Sequence, residues 1–129
     1  MSIPVDLAQL RDEAAKRGTT AFLVTVTADA RPHVVEVMIA WEGDVMVMSA
    51  GRTTVANAAE RTTVTMLWPP TAPGEYSLIA DGTATVEPGD AGGTVTVRPS
   101  KAVLHRPATD DHPATRPGCT ADCVPLDGS

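Results

Sequence analysis

A short polar segment between two apolar stretches holds the residue types best suited to binding a ligand. Its side chains include three hydroxyls and one fixed positive charge beside a glycine: Ser49, Gly51, Arg52, Thr53 and Thr54. The stretch VANAAE that follows is predicted to be helical, and backbone amides at a helix start attract anions. Arginine can also hold two phosphate oxygens at once. This spacing indicates a phosphate site.

The same segment also fits a plainer interpretation. It could be an ordinary polar turn in which Thr53 or Thr54 is the N-cap of the helix. Arg52 could then pair with Glu60, or with a carboxylate of another subunit, in a solvated contact worth at most about 1 kcal/mol. The residues of this segment alone leave both interpretations open.

Composition limits the classes of protein to which the chain can belong. Its 129 residues suit one domain, which is small enough to gain stability from dimerisation. The formal net charge of −6, with only Lys16 and Lys101 as lysines, argues against nucleic-acid and membrane partners. The N-terminal residues lack the pattern of a signal peptide, so we expect a cytoplasmic protein.

Apolar periodicity predicts a mostly β protein with two short helices. The first helix is expected over 6–17 and the second over 55–60. The predicted strands are 21–27, 33–41, 45–48, 62–68, 76–87 with a bend at Asp81-Gly82, and the pairing segments 94–98 and 102–105. Six or seven strands imply a barrel. We expect a domain over 1–106 and an extended tail over 107–129, where the periodicity stops.

Three stretches of sequence, taken together, support a resemblance to a known family. They are ARPHVVEV in the first hairpin, SAGRTTVANAAERTTVTML around the polar segment, and the closing VRPSKAVLHRP. With this element order, the chain resembles the pyridoxamine 5′-phosphate oxidase-like family of flavin-binding split barrels over roughly 21–106. The resemblance implies an antiparallel split β-barrel of six to seven strands, forming a homodimer that binds FMN or, less readily, a deazaflavin between its subunits.

The resemblance also implies three groups of cofactor contacts. The phosphate would be held by Ser49, Arg52, Thr53 and Thr54. The flavin ring would be bordered by Val35, Glu36, Val37 and Met38. The remaining two are Asn57, at the position of the asparagine that usually follows the phosphate loop, and Trp68, a neighbour of the ring from either subunit. Many family members carry a lysine where Thr54 stands, so the phosphate would depend on Arg52, the hydroxyls and the amides.

The expected function is that of an FMN-dependent oxidoreductase acting on an unknown small molecule. A bound flavin performs the electron transfer, so no catalytic side chain is assigned. A genuine pyridoxamine phosphate oxidase is not expected, because the later Arg/His cluster that would hold its substrate is missing. The alternatives are a non-enzymatic dimer of the same fold that stores a flavin or binds no cofactor, a deazaflavin-dependent reductase, and haem binding through His33 or His105.

No metal site is expected from the sequence. Cys119 and Cys123 lie in the tail, and the spacing of His105 and His112 from them does not suit zinc. The two cysteines are expected to remain reduced in a flexible tail or to form a local disulfide.

Overall fold

The computed structural model describes residues 6–108 and, for the backbone alone, residues 121–125. These residues form two helices and eight strands. In chain order they are α1 Leu7–Ala15, β1 Thr20–Val26, β2 Pro32–Met38, β3 Ala40–Glu42, β4 Val45–Ala50, α2 Arg52–Glu60, β5 Thr63–Trp68, β6 Ser77–Gly89, β7 Gly92–Pro107 and β8 Ala121–Pro125.

The predicted hairpin joins β1 to β2, but its second strand is shorter than expected. The sequence predicted one strand over 33–41, whereas the structure interrupts it at Ile39. The amide of Ile39 donates to the carbonyl of Thr19 at 2.8 Å. This bond is the last one in the register of the β1–β2 ladder, because β1 begins at Thr20, just after the positive-φ residue Gly18. Beyond it the chain pairs as β3 with β4. The prediction of a single strand was therefore wrong.

The strands form one antiparallel sheet in the order β2-β1-β5-β6-β7-β4-β3, with β8 beside β7. The sequence-based prediction of a mostly β, antiparallel fold with two helices is confirmed. Within the described residues no ladder joins the end strands β2 and β3, so the expected barrel is open as a hydrogen-bonded structure. Across this opening β2 lies near β4, the strand that leads into α2.

The longest strand pairing in the sheet joins β6 to β7. The two segments predicted at 94–98 and 102–105 are one continuous strand. The predicted irregularity at Asp81-Gly82 is observed as a register shift between these two residues. A Cβ at Gly82 would lie 2.7 Å from the carbonyl oxygen of Arg98, so this close strand contact requires glycine.

One face of the sheet encloses the core. Leu23, Met46, Met66, Leu78 and Val95 are completely buried there. The inward positions alternate with outward ones along each strand, as expected when one face of a strand is buried. The sequence interpretation of Met46 as core filler agrees with this position, and Met48 is also buried.

The opposite face of the sheet carries a second set of apolar side chains. Phe22, Leu67, Ile79 and Val103 lie directly opposite one another across β1, β5, β6 and β7, and all four are half-buried. We call these four residues the outer row. Beside this row β2 exposes two more apolar side chains, Val34 at 55% and Met38 at 71%. Exposed apolar surface that extends over several strands is typical of an interface.

Part of the predicted tail forms β8. Its backbone pairs with the end of β7, where Cys123 lies opposite His105. The side chains of Cys119 and Cys123 lie outside the described part of the chain, so the predictions about them stay predictions, as does the division at 106. Within the described residues, neither helix is long and apolar enough to cross a bilayer.

Candidate functional site

Helix α2 begins three residues earlier than the sequence predicted. It starts at Arg52, and Gly51 occupies the N-cap position. The interpretation with Thr53 or Thr54 as N-cap was therefore wrong. The misassignment has a physical cause: threonine has low helix propensity, but here burial of Thr54, Val55 and Ala58 stabilises the helix against the sheet.

This early start gives the polar segment a defined geometry. The first amides of a helix have no acceptor within it, and Gly51 offers no side-chain cap. The first turn also contains no acidic residue. The amides of Arg52, Thr53 and Thr54 therefore remain available to an anion, in the positive end of the helix dipole.

An open cleft of about 630 Å³ lies at this helix start. One wall is β2 and the other is formed by the end of β4 and the first turn of α2. Seven of the predicted cofactor contacts lie together in it: Val35, Glu36, Val37, Ser49, Arg52, Thr53 and Thr54. Residues separated by more than ten positions in the sequence thus share one cavity.

Arg52 is held at the edge of the cleft by a single backbone contact. Its Nη2 donates to the carbonyl oxygen of Asp90 at 3.0 Å. The alternative pairing with Glu60 is not formed, because Glu60 contacts the guanidinium of Arg61 at 3.3 Å instead. A guanidinium has five N–H donors. Within the described residues one of the five is used, which leaves the others for a ligand.

A second cavity of about 460 Å³ adjoins the cleft at Ser49. Ser49 lines both spaces. The second cavity is mainly apolar, and its walls include Met38, Ile39, Val47 and Met48. Met38 is therefore separate from the other predicted ring contacts, at the apolar end of one elongated trough.

Two predicted site residues lie away from the cleft within this chain. Trp68 is 1% exposed and belongs to the core, where it borders a different cavity with Ile39 and Trp41. Asn57 is also buried, and its Nδ2 donates to Oγ1 of Thr25 at 3.1 Å. This hydrogen bond ties α2 to β1 and gives Asn57 a structural contact behind the cleft wall.

We expect Asn57→Ala to lower the free energy of unfolding by about 1–3 kcal/mol, because the buried hydroxyl of Thr25 loses its amide donor. Urea denaturation of the variant measures this loss. A double-mutant cycle with Thr25→Val isolates the shared contact, since the effects of two bonded residues do not add. A single-variant loss below about 0.5 kcal/mol would contradict the structural role.

The structure adds cleft residues that were not among the predicted cofactor contacts. They are His33, Ala50, Gly51 and Ala91. His33 has a titratable side chain and lies on the same face of β2 as Val35 and Val37, so strand alternation could have indicated it. Ala91 lies in the turn between β6 and β7, far away in sequence, and no local pattern connects it to the helix start. Within the described residues, no group of three or more potential metal ligands converges.

Comparison with solved structures identifies the fold. A pyridoxamine 5′-phosphate oxidase-related, FMN-binding protein of Nostoc punctiforme superposes with a TM-score of 0.56, at 8% identity, over 93% of both chains. An F420 reductase gives a TM-score of 0.58 at 19% identity, covering 70% of this chain and 94% of its own. An FAD-binding protein of Mycobacterium smegmatis gives 0.54 at 20% identity, covering 71% and 86%. The fold is that of the pyridoxamine 5′-phosphate oxidase-like split barrels, which confirms the resemblance seen in the sequence.

Sequence comparison identifies nearer relatives. An uncharacterised protein of Mycobacterium bovis and one of Mycobacterium tuberculosis are each 38% identical to the chain over 117 residues. The matched region covers 81% of this chain and 82% of each relative. The chain belongs to the family of these two mycobacterial proteins. No protein-family model matches it.

Membership of this mycobacterial family assigns no activity, because both relatives are uncharacterised. The structural neighbours are below 25% identity and carry evidence for the fold alone. A function for the mycobacterial family must therefore come from the cleft and its continuation.

Proposed function

We propose that this protein binds FMN and acts as an FMN-dependent oxidoreductase on a small molecule other than pyridoxamine phosphate. The observation that carries the proposal is the trough itself. One end combines a helix start with an arginine, and the other end is apolar. FMN has a matching arrangement, because its anionic phosphate is joined through a polar chain to a flat ring.

The polar end fits a single phosphate group. The three free amides of α2 would donate to the oxygens of a bound anion, and Arg52 would add charge-assisted hydrogen bonds. Ser49 and Thr53 are exposed and contribute hydroxyl donors beside them. Thr54 is 2% exposed, so its contribution would come from its amide more than from its hydroxyl.

The rest of the trough fits the ring. β2 is an end strand of the sheet, and its second edge bonds to no other strand within the described residues. Backbone groups on such an edge can hydrogen-bond the polar rim of a heterocycle. Val35 and Val37 form an apolar wall next to that edge, and Met38 and Val47 extend it into the second cavity.

When bound, a flavin supplies hydride or electron transfer. The residues of the chain would hold it at both ends, fix its orientation through β2 and keep water from its apolar side. The trough is open on one side, so full exclusion of water requires a further cover.

We propose that a second copy of the chain provides this cover in a homodimer. The outer row forms an apolar surface suited to a subunit interface, and Val34 and Met38 are exposed beside it. Glu36 of β2 lines the cleft and also a shallow cavity beside Phe22 of the outer row. A partner subunit seated on the outer row would therefore reach the edge of the cleft.

Flavin titration tests this function directly. The purified chain, freed of bound cofactor, should quench the fluorescence of FMN with a dissociation constant in the micromolar range or below. Riboflavin, which lacks the phosphate, should bind at least about tenfold more weakly, a difference of about 1.4 kcal/mol. Absence of FMN binding at micromolar concentrations would rule out the proposal.

Two related functions would appear in the same experiments. A deazaflavin-dependent reductase is favoured by the structural similarity to an F420 reductase, and a competition titration with that deazaflavin distinguishes the two cofactors. A non-enzymatic flavin carrier is favoured by the cleft lining, which among the described residues contains no Phe, Tyr or Trp ring to stack on a flavin. It would bind FMN but show no turnover with nicotinamide nucleotides as electron donors.

A further inference from the structure

The turn between β6 and β7 borders the cleft at the start of α2. Gly89 pairs with Gly92, so Asp90 and Ala91 form a two-residue turn. Ala91 lines the cleft, and the carbonyl of Asp90 accepts the hydrogen bond from Arg52. The turn therefore lies directly beside the first turn of α2.

Backbone packing fixes the turn in this position. Gly92 has a φ of +129°, and a Cβ there would clash with the carbonyl oxygen of Ala50 and lie 3.1 Å from Cα of Gly51. Gly93 pairs with Ala50 in the ladder between β4 and β7. The turn is thus held against the segment that leads into α2, through contacts that only glycine permits.

Two carboxylates lie in the turn or close to it, outside the lining of the cleft. Asp90 is exposed in the turn itself, and Glu87 is exposed on β6. Glu87 lies opposite Thr94, which in turn lies opposite Ser49 of the cleft, so the three share one face of the sheet. The charged or titratable residues that line the cleft are His33, Glu36 and Arg52.

Arg52 is thus the single Lys or Arg among the described residues that line the cleft, and its charge suits one phosphate group. On the side of the turn, a ligand that continued beyond its first phosphate would meet the backbone of Asp90 and Ala91. Any further negative charge would then meet the carboxylates of Glu87 and Asp90, with Arg52 already engaged. Like charges in such proximity disfavour binding.

We infer that the β6–β7 turn makes the site selective for a flavin that ends in a single phosphate, with Asp90 as a specificity-determining residue. Dinucleotides such as FAD, and flavins extended through a phosphodiester, are excluded by the backbone of the turn and by its negative charge. This inference rests on the proposed flavin-binding function and goes beyond it, because it concerns the length and charge of the ligand.

The test compares the affinities of the full chain for FMN and FAD by fluorescence quenching. FMN should bind at least tenfold more tightly than FAD. The variant Asp90→Lys should reduce this ratio at least threefold, because the repulsion becomes an attraction. Asp44→Lys makes the same change of charge in the exposed turn between β3 and β4 and should leave the ratio within twofold of the unchanged chain.

Each outcome decides between the two claims. If no flavin binds to the unchanged chain, the proposed function fails and the selectivity with it. If FAD binds as tightly as FMN, or if Asp90→Lys and Asp44→Lys change the ratio equally, the function stands and the role of the turn is refuted. Glu87→Lys, at an exposed strand position, provides the same measurement if Asp90→Lys does not fold, and an unchanged ratio there refutes the inference.

Discussion

Replacing Arg52 with alanine is expected to weaken FMN binding by about 10- to 100-fold. The guanidinium is the positive group nearest the free amides of α2 among the residues that line the cleft. Hydrogen bonds to charged groups contribute about 1.5–3 kcal/mol, which corresponds to this range of affinities. With threonine at position 54, where many family members have lysine, no second cationic side chain of the loop replaces the lost one.

Two controls separate this effect from a general loss of structure. Arg61→Ala removes an arginine from the other end of the same helix and should leave the affinity for FMN within twofold. Among the described residues, the guanidinium of Arg61 makes a polar contact with the exposed Glu60 alone. Riboflavin has no phosphate, so Arg52→Ala should not change its affinity. Unchanged FMN binding in the Arg52 variant would refute the assignment of this segment to phosphate.

Much of the strand pattern could be predicted from alternation along the chain. The segments at β1, β5 and β6 combine buried inward residues with short turns, and their predicted bounds agree with the structure to within two residues. The end of β2 could not be predicted in this way. Its termination depends on where its partner strand β1 begins, at Thr20, and residues 33–41 carry no proline or glycine that would signal a break.

Some residues of the candidate site could likewise be predicted from the sequence, and others could not. Ser49, Arg52 and Thr53 are close in sequence, and the chemistry of that segment was sufficient to single them out. The role of Ala91 depends on the pairing of β6 with β7, which brings a distant turn to the start of α2. That contact is determined by the register of the two strands and not by the composition of either strand. The register could not be predicted from a single sequence.

Trp68 illustrates a further reason why contacts can be misplaced. Its position at the end of β5 suggested a neighbour of the flavin ring, but strand alternation points it inward with Val64 and Met66, and it is buried in the core. A residue at the end of a strand can face either side of the sheet. The side is determined by register, which the sequence pattern alone left open.

The outer row leads to the second large expected effect. Replacing Ile79 with glutamate should convert a dimer into a monomer, because Ile79 lies between Leu67 and Val103 at the centre of the row. Burying a carboxylate against apolar side chains without a partner costs several kcal/mol. We expect the dimer dissociation constant to rise at least about 100-fold, or about 2.8 kcal/mol.

Light scattering coupled to gel filtration measures this directly, since the monomer has a mass of 13.4 kDa. Val45→Glu is the matched control: it also places a carboxylate at a half-buried, outward-facing strand position, but on β4, away from the outer row. It should leave the mass at twice that of the monomer.

If the partner subunit covers the trough, Ile79→Glu must also weaken FMN binding at protein concentrations where the variant is monomeric. A monomeric variant that retains full affinity would show that one chain holds the flavin by itself, and an unchanged chain that is already monomeric would remove the outer row as an interface.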